Sequence, residues 1–64
     1  MEGTVKRWLD ERGYGFIEVD GEDDIFVHNT DLDGTDMLRP GQKVEFDIEK
    51  TSKGPQAKNV KVIV

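Results

Sequence analysis

The chain has 64 residues, one histidine, no cysteine, and a net charge of −5 from nine basic and fourteen acidic side chains. This length fits one small domain, residues 1–64, with a modest free energy of unfolding. Because the chain has no cysteine, disulfide bonds and thiolate-bound zinc are excluded. A single histidine cannot build a histidine metal site either, so we expect neither a metal nor a cofactor. No apolar run is long enough to cross a membrane and no signal-peptide pattern opens the chain, so we expect a cytoplasmic protein.

The charges are unevenly distributed along the chain. Residues 1–36 carry a net charge of −8, whereas residues 37–64 carry +3. The only cations of the acidic half are Lys6, Arg7 and Arg12, and they flank its aromatic segments. An acidic protein is a poor polyanion binder overall, since phosphate contacts supply much of the affinity for nucleic acids. The uneven distribution nevertheless allows a locally basic binding face on an acidic protein. The alternative is that the acidity only serves solubility.

Period-two alternation and turn signals recur along the whole chain. The predicted strands are residues 4–9, 14–19, 23–28, 43–49 and 57–64. Turns are predicted at Asp20-Gly21 and Pro40-Gly41, and residues 29–42 form a polar loop. The apolar anchors expected in that loop are Leu32, Met37 and Leu38. The pattern predicts an all-β fold, a five-stranded antiparallel barrel that is closed or nearly closed, because closure removes exposed sheet edges.

Aromatic side chains alternate with aliphatic ones in the second and third strands. Alternation places the aliphatic set on one face, as the core: Ile17, Val19, Ile25 and Val27. The other face, here called the ring surface, carries Tyr14, Phe16, Phe26 and His28. A one-residue slip would expose the aliphatic set instead. Because a small chain has one core, the rings are expected in solvent, where they suit unpaired nucleic-acid bases. Gly15 faces the core and permits close approach of a neighbouring strand.

These residues resemble a known family. Residues 6–28 resemble a cold-shock domain, a five-stranded barrel of the oligonucleotide-binding fold. The segment 12–17, RGYGFI, matches its first ribonucleoprotein motif, and the segment 25–28, IFVH, matches the second. The similarity extends to residues 40–44 and 53–60, so it covers nearly the whole chain.

The resemblance implies binding of single-stranded RNA and DNA with little sequence specificity, a preference for pyrimidines, and RNA-chaperone activity. Bases are then expected to stack on Tyr14, Phe16, Phe26 and His28. The resemblance further assigns phosphate contacts to Lys6 and Arg12, a base-edge contact to Asp24, and a loop beside the bound strand to Lys53, Gly54 and Pro55.

The chain departs from the family pattern at three positions of the predicted site. Arg7 takes the place of a tryptophan, Trp8 that of the following phenylalanine, and Asn29 that of the phenylalanine after the histidine. Strict alternation places Lys6 and Trp8 with the rings, whereas a bulge in the first strand could expose both Arg7 and Trp8. Arg7 could then stack its guanidinium plane on a base. With fewer rings, we expect weaker binding and a shorter site.

Other functions fit the sequence less well. No nucleophile or acid–base pairing accompanies the single histidine, so an enzyme is not expected. The acidic segment 20–24 lacks the spacing of calcium-binding loops, which favours a solvated turn. Two alternatives remain: a small barrel that docks a protein partner on its aromatic face, and a barrel of the ribosomal S1 or initiation-factor type. A monomer is the default expectation.

Overall fold

The computed structural model describes residues 1–20 and 24–63, and within this part of the chain five strands form a closed barrel. The strands are β1 (Glu2–Leu9), β2 (Tyr14–Glu18), β3 (Ile25–His28), β4 (Lys43–Thr51) and β5 (Gly54–Val62). A 3₁₀ turn, Asn29–Asp31, follows β3. The predicted all-β, five-stranded barrel is confirmed. No helix in the described ranges is long and apolar enough to cross a membrane.

The barrel closes in the spatial order β1-β2-β3-β5-β4, with β4 returning to β1. Every junction is antiparallel except the one between β3 and β5, which is parallel and pairs Phe26 with Gln56. The junction is parallel because β3 and β5 are each two antiparallel pairings away from β1, β3 through β2 and β5 through β4, so they run in the same direction. Residues 29–42 make the crossing from β3 to β4, which is why the longest connection lies there.

The barrel interior is filled by the aliphatic face that alternation predicts. Ile17, Ile25 and Val27 are each 0% exposed, while Val19 is half-buried against the core. The full set of buried apolar residues is Val5, Ile17, Ile25, Val27, Leu38, Val44, Phe46, Ala57 and Val60. Because these side chains come from all five strands and one loop, burial of apolar area stabilises the closed form as a unit.

Two of the sequence predictions need correction. Residues 51–55 are not an open loop: β5 begins at Gly54, and the Thr51 hydroxyl donates to the Gly54 carbonyl at 2.8 Å across the turn. Met37 is 43% exposed and therefore is not an anchor of the long loop, whereas Leu38 is buried and Leu32 packs against the core. The strand predictions at Asp23 and Val64 fall outside the described residues.

A bulge in β1 changes which of its side chains face the ring surface. Val5 pairs with Ile17 but Arg7 already pairs with Phe16, so Lys6 is the extra residue. Strict alternation is therefore wrong for this strand. The alternative of a bulge is confirmed for Arg7, which is exposed opposite Phe16, but Trp8 pairs with Gly15 on the inner face.

Gly15 allows β1 to cross β2 at very short range, as the sequence predicts. A Cβ atom at this position would collide with the carbonyl oxygen of Arg7 and lie 2.8 Å from Cε3 of Trp8. Since the first of these neighbours is backbone, it cannot move without opening the β1–β2 pairing. The absent side chain is thus a condition for the tight curvature of the barrel.

Replacement of Gly15 by alanine is expected to lower the free energy of unfolding by about 3 kcal/mol, because overpacking forces the β1 backbone outwards. Gly41→Ala is the matched control. Gly41 has a φ of 92°, and a Cβ atom there would have no neighbour within 4 Å, so only backbone strain of roughly 1 kcal/mol opposes alanine. Urea unfolding of both variants measures the difference, and equal losses would contradict the close approach at Gly15.

Candidate nucleic-acid interface

The four aromatic residues of the ring surface form one continuous patch on β2 and β3. The centroid of the Phe26 ring lies 5.4 Å from that of Tyr14, 6.1 Å from that of Phe16 and 6.4 Å from that of His28. All four side chains are half-buried, so each ring keeps part of its surface in solvent. Edge-to-face packing of Phe16 on its neighbours, at 89° and 73°, holds the rings at fixed tilts.

Cross-strand pairing extends the ring surface into two rows. The first row crosses four strands and contains Arg7, Phe16, Phe26 and Gln56. The second row crosses three strands and contains Leu9, Tyr14 and His28. Directly paired residues share a face of the sheet, so both rows present their side chains on the same side of the barrel.

His28 has a defined orientation at the end of β3. Its Nδ1 accepts the backbone N–H of Thr30 at 3.3 Å and lies 2.9 Å from the Thr30 hydroxyl oxygen. A backbone N–H can only donate, so in the neutral ring the proton is on Nε2. The imidazole therefore offers a flat face beside Phe26 and an N–H donor at its free edge.

A cleft of about 410 Å³ adjoins the first row. Its lining combines the rings with the β4–β5 turn: Phe16, Asp24, Phe26, Thr51, Lys53, Gly54, Pro55 and Gln56. The structure thus brings positions assigned by resemblance, Asp24 and Lys53 among them, around one opening beside two rings. Its mixed lining, with a carboxylate, an ammonium and an amide next to flat apolar faces, suits a nucleobase.

Lys6 and Asp24 form an ion pair at the edge of this cleft. The ammonium donates to both carboxylate oxygens of Asp24 at 3.2 Å, and the two side chains are 53% and 45% exposed. An exposed pair of this kind contributes little to stability. Both groups therefore remain open to exchange with a phosphate or a base edge.

Asp31 fixes the far end of the first row. It accepts from Gln56 Nε2 at 3.0 Å and from Lys58 Nζ at 3.2 Å, and its side chain is only 12% exposed. Because Gln56 donates one N–H of its amide to Asp31, its second N–H and its carbonyl oxygen are left for a ligand.

Two residues of this surface were missed by sequence reasoning. Leu9 follows the bulge, which reverses the face of every later residue in β1. Gln56 reaches the surface through the parallel junction with β3. Neither the bulge nor the junction leaves a local signal strong enough to place these side chains.

The remaining predicted residues lie around the patch. Arg12 is exposed in the turn between β1 and β2, directly before the strand that carries Tyr14. The Asn29 backbone N–H donates to the Gly13 carbonyl at 2.8 Å, and the Asn29 side chain lies over Gly13, just before β2.

Within the described residues, no group of three or more histidine or acidic side chains could hold a metal ion. Glu22 and Asp23 of the acidic segment lie outside the described residues.

Trp8 is separated from the four rings. It is half-buried, packs against the core cluster and covers Gly15. Its indole Nε1 is buried without a hydrogen-bond partner among the described residues. This location favours a role at the barrel rim over a role as a stacking platform.

Trp8→Ala is expected to lower the free energy of unfolding by about 2 kcal/mol, because it removes a large side chain from the core boundary. The neighbouring change Arg7→Ala removes an exposed side chain and should alter stability by less than about 0.5 kcal/mol. Thermal unfolding followed by circular dichroism compares the two. Equal stability of both variants would contradict the packing of Trp8 on the core.

Comparison with known proteins agrees with this geometry. The family model described as 'Cold-shock' DNA-binding domain matches residues 1–63. The chain is 55% identical over 62 residues to the major cold shock protein CspA of Bacillus cereus, covering 94% of this chain and 92% of the relative. It is 51% identical over 61 residues to cold shock protein CspA of Staphylococcus aureus, covering 92% of each chain.

A solved structure described as "drosophila Unr CSD456" superimposes with a TM-score of 0.78 at 25% sequence identity, over 98% of this chain and 26% of the longer one. The family match spans almost every residue, and the barrel and paired motifs agree with it. The chain therefore belongs to the cold-shock domain family.

Proposed function

We propose that this protein binds single-stranded RNA and DNA with low sequence specificity by stacking bases on the ring surface, and that it acts as an RNA chaperone. The observation that carries the proposal is the continuous patch of four solvent-facing rings across β2 and β3. The matching family model, described as a 'Cold-shock' DNA-binding domain, supports the same class of ligand. We further propose that the protein is a monomer, that it works in the cytoplasm, and that it prefers pyrimidine bases.

Stacking supplies the main attractive term. Each base stacked on an aromatic side chain contributes roughly 1–3 kcal/mol, as judged by alanine substitution. Three or four such contacts, which are not strictly additive, correspond to a dissociation constant of about a micromolar. A duplex hides its base faces, so this surface distinguishes single strands from duplexes without reading sequence.

Phosphate contacts add a smaller term. Lys6, Arg7 and Arg12 lie on or beside the ring surface, and Lys53 lines the adjacent cleft. The rest of the N-terminal half is acidic and repels the strand elsewhere. Weak contacts of this kind exchange quickly, which suits a protein that keeps RNA unpaired without trapping it.

A binding role fits this surface better than a catalytic one. His28, the single histidine, lies on an open sheet with its Nδ1 held by Thr30. Acid–base catalysis needs a concave site that orients a proton donor towards a reacting atom. Docking of a protein partner on the same rings is the competing proposal, and binding assays with single strands separate the two.

Phe16→Ala and Phe26→Ala are each expected to weaken binding of an oligothymidine strand about ten-fold while the barrel stays folded, because each removes one stacking face. The matched ring is Phe46, which is 2% exposed in the core. Phe46→Ala should instead lower the free energy of unfolding by roughly 3 kcal/mol. Fluorescence anisotropy and urea unfolding of the three variants provide both readouts. Loss of folding in the first two variants, with no selective loss of binding, would show that these rings support the core.

Raising the salt concentration should weaken binding only gently. With three or four phosphate contacts, the slope of log K against log salt is expected to be about −2 to −3. Anisotropy titrations with a labelled single strand and its matched duplex measure this slope and the preference for the single strand. A wild-type protein that binds neither would refute the nucleic-acid proposal and favour protein docking.

A further inference from the structure

Arg7 is the cation that the β1 bulge brings to the ring surface, and we propose that it reads a guanine base stacked on Phe16. This inference rests on the proposed binding of single strands. It adds a preference for guanine at one position of a surface that otherwise prefers pyrimidines. The residue is also the point at which the chain replaces an expected tryptophan.

The register places Arg7 beside the base that Phe16 would hold. Arg7 and Phe16 are direct cross-strand partners, and such residues have Cβ atoms about 4.5–5.5 Å apart on the same face. Arg7 is exposed and Phe16 is half-buried, so the ring offers a face and the arginine extends past it. A base lying flat on Phe16 therefore presents one of its edges to the guanidinium group.

The guanidinium group is available for this contact. The ion pairs between described residues use Lys6, Lys58 and Lys61, and none of them uses Arg7. Lys6 occupies both oxygens of Asp24, the carboxylate of the adjacent cleft. The planar fork of N–H donors on Arg7 thus has no carboxylate partner in the described part of the chain and faces solvent.

The geometry of the fork selects among the bases. Two parallel N–H donors need two neighbouring acceptors, which guanine supplies at N7 and O6. Adenine places an amino donor beside its N7, and thymine separates its two oxygens by an N–H group. Cytosine has N3 and O2 side by side but offers a smaller face for stacking on Phe16, so guanine is the better match.

A phosphate contact is the competing role for Arg7, and the two roles respond differently to lysine. A phosphate is attracted by charge, so lysine substitutes for arginine without changing base preference. A guanine edge needs the bidentate fork, which lysine lacks. The ratio of affinities for two strands that differ in one base therefore separates the roles, whatever happens to the overall affinity.

The test measures anisotropy of labelled nine-nucleotide strands that are all thymidine except for the central base. Wild-type protein should bind the strand with central guanine about ten-fold more tightly than the all-thymidine strand. Central adenine should give no such gain. Central 7-deazaguanine keeps the size of guanine but lacks the N7 acceptor, and it should lose most of the gain.

Two variants complete the experiment. In Arg7→Lys the ratio of guanine to thymidine affinity should fall to about one, whereas Arg39→Lys, at an exposed arginine outside both rows, should keep the wild-type ratio. The proposal is overturned if the wild type shows no guanine gain, if cytosine gives an equal gain, or if either 7-deazaguanine or Arg7→Lys retains it. Absence of binding to every strand, the all-thymidine one included, would instead refute the proposed function itself.

Discussion

The crossing of β1 over β2 at Gly15 is the constraint on which the rest of the barrel depends. With no side chain at that position, the Arg7 carbonyl and the Trp8 ring come close to the β2 backbone. The strong curvature that results lets a sheet of only five short strands close on itself. Closure in turn buries nine apolar residues in one core and leaves no free edge among the described strands.

The same crossing lies beside the bulge at Lys6, and the bulge decides which β1 side chains join the ring surface. It takes one residue out of register, so Arg7 meets Phe16 and Trp8 turns to the rim. The bulge thereby places the Arg7 guanidinium group in the first row and turns the Trp8 ring away from the ring surface. The curvature of the barrel and the composition of the site are consequently linked within one short stretch of β1.

Placing four rings in solvent is unfavourable for a chain with so small a core, since the barrel gains little from their partial burial. The rings offset part of that cost by packing on one another, with Phe26 beside the other three. The hydrogen bond from Thr30 to His28 and the contacts of Asp31 with Gln56 and Lys58 hold the borders of the patch. A rigid patch loses little conformational entropy when a strand binds.

The sequence by itself determined the fold class and most of the composition of the ring surface. Alternation in β2 and β3 separates Ile17 and Val27, which are fully buried, from Phe16 and Phe26, because side chains of a strand alternate strictly between two faces. Only the tertiary structure decided the side of Arg7, Leu9 and Trp8, and the arrival of Gln56 beside Phe26. The physical reason is that a bulge and a parallel junction depend on which distant strand each residue pairs with, and local alternation carries no information about that pairing.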